Sequence, residues 1–267
     1  VIIVEKITSK NNPKVKQWLS LLGKKGRQET GLYIIEGVKI IEEALLSKQK
    51  ITSIIYADQQ GLSQEIAQHL SPGLAIPQYA VSSEIIAKLT NTITPQGIIA
   101  IVQAAKERED QFFLKKNYLL LLDEIQDPGN LGTIIRSAVG AGVEGIVLGK
   151  GTVELYNPKV IRSAMGTLFH MPIISSDLDK LIPLLKADGI KVIGTSPQTD
   201  KDYYDLDLTG RIAILVGNES NGLSADRKLQ VDEMVKIPLA PNAESLNVAM
   251  AATIILHDRV RQLAKQN

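Results

Sequence analysis

From residue 118 to the end, short apolar runs alternate with amphipathic stretches. The runs "YLLLLDE" (118–124), "GIVLGKG" (145–151), "MPIISS" (171–176), "IKVIGTS" (190–196), "IAILVG" (212–217) and "MVKIPL" (234–239) predict strands. Apolar runs that alternate with helices predict a mainly parallel sheet covered on both faces. The intervening helices are "GTIIRSAVGAG", "NPKVIRSAMGTLF", "LDKLIPLLKADG" and "LSADRKLQ". The closing segment, "SLNVAMAATIILHDRVRQLAK", is apolar nearly all round from Leu246 to Leu256. Such a helix is expected to be buried within the fold and against a second subunit.

The first hundred residues carry a second α/β pattern. "NPKVKQWLSLLGKK" reads as a helix with Val15, Trp18, Leu19 and Leu22 on one face. Strands are expected at "GLYIIEG" and "ITSIIYA", an extended piece at "AIPQYAVS" and a closing strand at "GIIAIVQ". Helices are expected at "GVKIIEEALLSKQ", "LSQEIAQHLS" and "SEIIAKLTN". The charged interval "AKEREDQFFLKKN" (105–117) separates the two patterns. The expected organisation is a small domain over 1–105, a linker or bridging helix over 106–117, and a larger domain over 118–267.

Composition narrows the chemistry. The 267 residues are 44% hydrophobic and 22% charged, as in an ordinary globular protein, and contain no Cys. Disulfides, thiolate metal sites and a cysteine nucleophile are thereby excluded, and a reducing cytoplasm fits. The opening "VIIVEKITSK" is too short an apolar run for a signal peptide, and no stretch approaches membrane-spanning length. Net charge is only +1, yet Lys6, Lys10, Lys14, Lys16, Lys24, Lys25 and Arg27 are met by Glu5 alone across the first 27 residues. That cluster is either a solvated helix surface or an attraction for a phosphate backbone.

Two glycine patterns are set aside. "GAGVEG" (140–145) has the dinucleotide-binding spacing, but a helix precedes it and a strand follows, the reverse of what a pyrophosphate site needs. It reads as a helix C-cap and turn, against a dehydrogenase. "GIVLGKGT" is one residue short of a P-loop. His69, His170 and His257 lie far apart without metal-ligand spacing, and neither Ser163 nor Ser220 has evident triad partners.

Three apolar runs, "LLLLDEIQDPGNLGTIIRSA" (119–138), "RIAILVGNESNGLS" (211–224) and "VKIPLAPNAESLNVAMAATI" (235–254), end in loops rich in Gly, Pro and Asn. In a parallel sheet such loops lie at the carboxyl ends of strands, where ligands bind. They offer neutral amides, glycines that admit close backbone approach, one fixed cation in Arg136 and one nearby anion in Glu219. Ordinary turn chemistry uses the same residues.

The segments "DPGNLGTIIRSA", "LVGNESNGLS" and "IPLAPNAESLNVAMAATIIL" resemble the three motifs of the SpoU/TrmH family of RNA ribose 2′-O-methyltransferases, in that family's order and spacing. "YIIEGVKIIEEAL" and "TPQGIIAIV" resemble the substrate-binding domain often attached to it. The resemblance implies an α/β SPOUT domain with a trefoil knot and a mainly parallel sheet, a ribosomal-protein-like amino-terminal RNA-binding domain, and a homodimer built on the closing helix. It implies an S-adenosylmethionine pocket at Thr195, Gly217, Ile237 and Leu246, and catalytic or substrate-handling roles for Asn130, Arg136, Glu219, Ser245 and Asn247. No metal is implied. Arg136 would take the ribose proton or, because arginine holds its proton tightly, grip a phosphate and stabilise the developing alkoxide. The substrate implied is structured RNA, with large-subunit ribosomal RNA favoured because a sizeable amino-terminal domain is present. A transfer RNA enzyme, a base methyltransferase and a catalytically silent RNA-binding protein are the alternatives.

Overall fold

The computed structural model describes residues 4–70, 76–90, 92, 94–105 and 111–266, with backbone only at 111 and 112. The chain forms two compact units, Val1–Lys106 with Glu154–Phe169, and Glu107–Val153 with His170–Asn267.

The first unit opens with β1 (Val4–Ile7), α1 (Pro13–Ser20), α2 (Lys24–Thr30), β2 (Leu32–Glu36) and α3 (Val38–Leu46). It continues with β3 (Ile51–Ala57), α4 (Gln64–Ala67), β4 (Gln78–Val81), α5 (Ser83–Leu89) and β5 (Ile98–Gln103). Its sheet runs β1-β4-β3-β5-β2, parallel except where β5 meets β3 and β2. Val15 and Trp18 are buried from α1, with Leu19 and Leu22 packed at the edge of the same cluster. The expected single helix over 12–25 is two: α1 stops at Ser20, and α2 starts after Gly23. The break brings Gly26 against the Ser20 carbonyl, 2.1 Å from where a Cβ would stand. The expected helix at 62–71 shortens to the four residues of α4, and its last residue lies outside the described residues.

The basic cluster is largely neutralised. Lys6 pairs with Asp58, Lys10 with Glu84, Lys14 with Glu5, Lys25 with Glu29 and Arg27 with Glu154. Only the Arg27 pair is buried, with side-chain exposures of 5% and 18%. Arg27 also donates to the Leu21 and Leu22 carbonyls, at 2.8 and 2.9 Å, so each of its three guanidinium nitrogens donates.

The second unit contains α6 (Gln111–Leu114), β6 (Tyr118–Leu122), α7 (Pro128–Gly140) and β7 (Gly145–Leu148). The chain then passes through α8 (Pro158–Ala164) and a 3₁₀ turn at Thr167–Phe169, which belong to the first unit. There α8 packs against β2, and Tyr156 stacks on Tyr33 with ring centroids 4.2 Å apart. Back in the second unit come β8 (Ile173–Ser175), α9 (Leu178–Ala187), β9 (Lys191–Thr195), β10 (Ile212–Val216), α10 (Ala225–Gln230), β11 (Glu233–Val235) and α11 (Val248–Ala264).

The second sheet is parallel throughout, in the order β11-β9-β10-β6-β7-β8. Every residue of β6 and of β10 is buried, as expected for strands covered on both faces. The glycines of "GAGVEG" end α7 and turn the chain, with Gly142 at φ 72°. Packed chiefly on α7 and touching β10, α11 buries Ala249, Ala252, Ile255 and Leu256, while the Tyr118 hydroxyl donates to the Leu256 carbonyl at 3.0 Å. Among the described residues, no helix is long and apolar enough to cross a membrane.

Candidate functional site

Four neighbouring strands, β11, β9, β10 and β6, send their carboxyl-terminal loops to one end of the second sheet. The chain builds β6, β7 and β8 in one direction and then reverses to β9, so this end carries the topological switch point where such sheets bind ligands.

Each loop has a local reason for its shape. After β6, Asp127 caps α7 by accepting the Asn130 N–H at 2.8 Å, and Pro128 begins the helix. After β10, Asn218 and Gly222 exchange backbone hydrogen bonds of 3.1 and 2.9 Å around a tight turn, with Gly222 at φ 64°. The Asn218 Oδ1 accepts the Ser220 and Asn221 N–H groups, and its Nδ2 donates to the Glu124 carbonyl at 2.9 Å. Glu124 itself holds a left-handed φ of 58°, a strained conformation that this contact helps to fix. Gly217 lies so close to the returning chain that a Cβ would stand 2.5 Å from the Gly222 carbonyl carbon and oxygen. After β9, the Ser196 N–H donates to the Val235 carbonyl at 2.9 Å, and Lys236 exchanges backbone bonds with Lys201 and Tyr203.

The three motif loops meet through side chains. One Glu219 carboxylate accepts the Asp127 N–H at 3.0 Å, the Gln126 N–H at 3.2 Å and the Asn130 Nδ2 at 3.3 Å. Asn130 then accepts, through Oδ1, the Asn247 Nδ2 at 2.9 Å. Asn247 in turn caps α11 by accepting the Ala249 and Met250 N–H groups. Partial burial works to raise the Glu219 pKa, but the backbone donors of Asp127, Glu219 itself and Gln126, with the Asn130 amide, outweigh it and hold the carboxyl below its ordinary value. This carboxylate is ionised at neutral pH and is held by donors of the 126–130 segment.

Beside this junction lies a cavity of about 400 Å³. Thr195, Gly217, Ile237 and Leu246 all line it, as do Glu219 and Ser245. Asn130, Asn247 and Arg136 stand outside the lining, the first two joined to it through Glu219. Arg136 is exposed on α7 and makes no hydrogen bond or ion pair with a described residue, so it is not part of the Glu219–Asn130–Asn247 chain. Sequence reasoning missed Ser196, Gln198, Lys236 and Glu244, which also line the cavity. Ser196 and Gln198 follow β9 directly, and loop position after a parallel strand was the available signal.

The three histidines do not converge on this cavity; His69 contacts Glu42 at 3.0 Å in the first unit. Among the described residues no group of three or more His, Asp or Glu is placed to hold a metal ion. The cavity combines an aliphatic floor with backbone groups, amides and hydroxyls. With Glu219, Lys236 and Glu244 also in its lining, it suits a small ligand that has both apolar and polar parts.

Residues 117–257 match the model of the SpoU rRNA methylase family, and residues 12–100 match an MRM3-like substrate-binding domain. The 23S rRNA (guanosine(2553)-2′-O)-methyltransferase RlmP of Bacillus subtilis is 37% identical, over 95% of this chain and 98% of that protein. The 23S rRNA (uridine(2479)-2′-O)-methyltransferase of Streptomyces viridochromogenes is 32% identical, over 96% of this chain and 92% of its own. The solved SpoU methyltransferase AviRb from the same organism, in complex with AdoMet, superposes with a TM-score of 0.87 at 31% identity, covering 95% of this chain and 99% of that one. An AdoMet-bound rRNA methyltransferase from Sinorhizobium meliloti does so at 0.87 and 30%, covering 97% and 98%. Three motif loops joined at one sheet end, a family match across them and relatives similar over nearly their whole length lead to one statement: the chain belongs to the SpoU rRNA methylase family.

Proposed function

We propose that this protein transfers a methyl group from S-adenosylmethionine to a ribose 2′-hydroxyl of 23S ribosomal RNA. The observation that carries this reading is the Glu219–Asn130–Asn247 junction beside the cavity at the switch point. The named relatives and the AdoMet-bound neighbours support the choice of substrate and cofactor.

The residues present fit the cofactor. Gly217 lines the cavity with backbone alone, its Cβ side taken up by the returning Gly222 backbone; Ile237 and Leu246 supply apolar walls, and Thr195 adds a hydroxyl. When bound, S-adenosylmethionine supplies a methyl group already activated by its sulfonium. The protein's share is positioning, which is worth about 7–11 kcal/mol in well-oriented intramolecular reactions. Glu219 locks the start of α7 to the loop after β10, and Asn247 ties α11 to the same point, so three loops act as one frame. Arg136 projects from α7, one and a half turns beyond Asn130, as an exposed guanidinium free to meet RNA. Arginine stays protonated near neutral pH, which favours holding a phosphate and stabilising a developing alkoxide over accepting the proton. Ser245 lines the cavity at the approach to α11 and orders the substrate side.

The amino-terminal unit binds the RNA in this reading, in keeping with the substrate-binding family model over residues 12–100. The enzyme acts in the cytoplasm, as a homodimer with its knotted half at the interface. Leu246, Met250 and Ile254 support the dimer: they stand four residues apart along α11 and its approach, at 39%, 49% and 36% exposure. Light scattering of the purified protein tests that assembly.

The main test uses tritiated S-adenosylmethionine with protein-free 23S rRNA, with precursor ribosomal particles and with bulk tRNA. Label in a ribose 2′-O-methyl nucleoside of 23S rRNA is expected. Label confined to tRNA, or to a base, would overturn the proposal.

A further inference from the structure

Three charged side chains line the cavity among the described residues: Glu219, Lys236 and Glu244. Two are accounted for. The Glu219 carboxylate is engaged by the Gln126 and Asp127 N–H groups and the Asn130 amide. The Lys236 ammonium faces Asp202, 4.0 Å away, whose Oδ1 is buried without a hydrogen bond and so presents its charge to the lysine. Glu244 alone has no hydrogen bond or ion pair with a described residue, and it stands exposed on the loop before α11, next to Ser245 and Leu246.

The rest of the wall includes aliphatic side chains, among them Ile237, Leu246 and Ile255. A cation brought against such a surface loses hydration and needs a counter-charge. We infer that Glu244 is the counter-charge for a cationic group of the ligand in this cavity, and so a specificity-determining residue for the cofactor. The inference rests on the reading that the cavity takes S-adenosylmethionine. That molecule carries two cations, a sulfonium and an α-ammonium, and Glu244 serves either through the same chemistry.

Isothermal titration of the full chain and of Glu244→Gln distinguishes the sources. S-adenosylmethionine has both cations, S-adenosylhomocysteine only the ammonium, and methylthioadenosine neither. The variant should bind S-adenosylmethionine roughly three- to thirtyfold more weakly, with methylthioadenosine unchanged and the loss eased by added salt. A matching loss for S-adenosylhomocysteine assigns the ammonium; no loss for it assigns the sulfonium. Glu244→Asp should recover part of the affinity. Equal weakening of all three ligands would mean that Glu244 only shapes the loop, and unchanged binding of all three would mean that it meets no cation; either overturns the inference. Failure of the unaltered protein to bind S-adenosylmethionine would overturn the proposed function itself, and the inference with it.

Discussion

The Asn247 amide donates to the Asn130 side-chain oxygen at 2.9 Å, while the other end of the same amide caps α11. One side chain thus does two separable things. Asn247→Asp keeps the capping oxygen and loses the donor to Asn130. It should unfold near the parent temperature but transfer methyl groups at least tenfold more slowly. Asn247→Ala loses both and should also cost about 1 kcal/mol of stability. Thermal melts read beside single-turnover transfer separate the two effects.

Removal of the Arg136 guanidinium tests the chemistry directly. Arg136→Ala should abolish methyl transfer and leave S-adenosylmethionine affinity within twofold, because the side chain lies outside the cavity lining. Near-parent turnover in the tritium assay would eliminate Arg136 from the reaction.

Gly217 leaves no space for a side chain. Gly217→Ala would force a methyl group against the backbone of Gly222 and Leu223, within 2.5–2.7 Å. Overpacking of this kind costs about 1–3 kcal/mol, and here it would also disturb a loop that lines the cavity. Urea unfolding and cofactor titration should both shift; if neither does, the loop is looser than it looks.

Glu219 gives a pH signature. Its pKa is depressed in the folded protein, so its contribution to stability is complete above the ordinary glutamate value and is lost as pH falls through the depressed one. Denaturation midpoints followed from neutrality into acid should fall more steeply for the parent than for Glu219→Gln. Parallel curves would show that the carboxylate is not held as described.

The buried Arg27–Glu154 pair should matter to the first unit alone. Glu154→Ala strands a guanidinium with 5% exposure, and loss of one partner of a buried pair costs about 3 kcal/mol or more. Calorimetry should record an earlier transition; an unchanged thermogram would mean that the Leu21 and Leu22 carbonyls suffice for Arg27.

Much of the parallel sheet was legible because strands buried on both faces leave uninterrupted apolar runs. β6 and β10 lie within the runs that mark them, and the glycines after α7 read correctly as a turn. β1 was not legible: "VEKI" is exposed at its first three residues, and only pairing with β4 makes it a strand. The lysine cluster looked unopposed because its acidic partners Asp58, Glu84 and Glu154 are distant in sequence. The four residues assigned by resemblance to the cofactor do share one cavity, since loop position at strand ends is a sequence property. The Asn130–Asn247 contact, Glu124's left-handed backbone and Glu244's isolation are products of tertiary approach, which no local pattern encodes.

The short detour Glu154–Phe169 has an evolutionary corollary. The polypeptide leaves its first body, returns to it once and departs again, so a single genetic crossover could not graft that body intact onto another enzyme. A chimera joined at residue 106 would carry an Arg27 bereft of its acid and a Tyr33 bereft of its stacking ring. Heritable exchange of amino-terminal bodies would therefore require the visiting helix to adapt along with each newcomer.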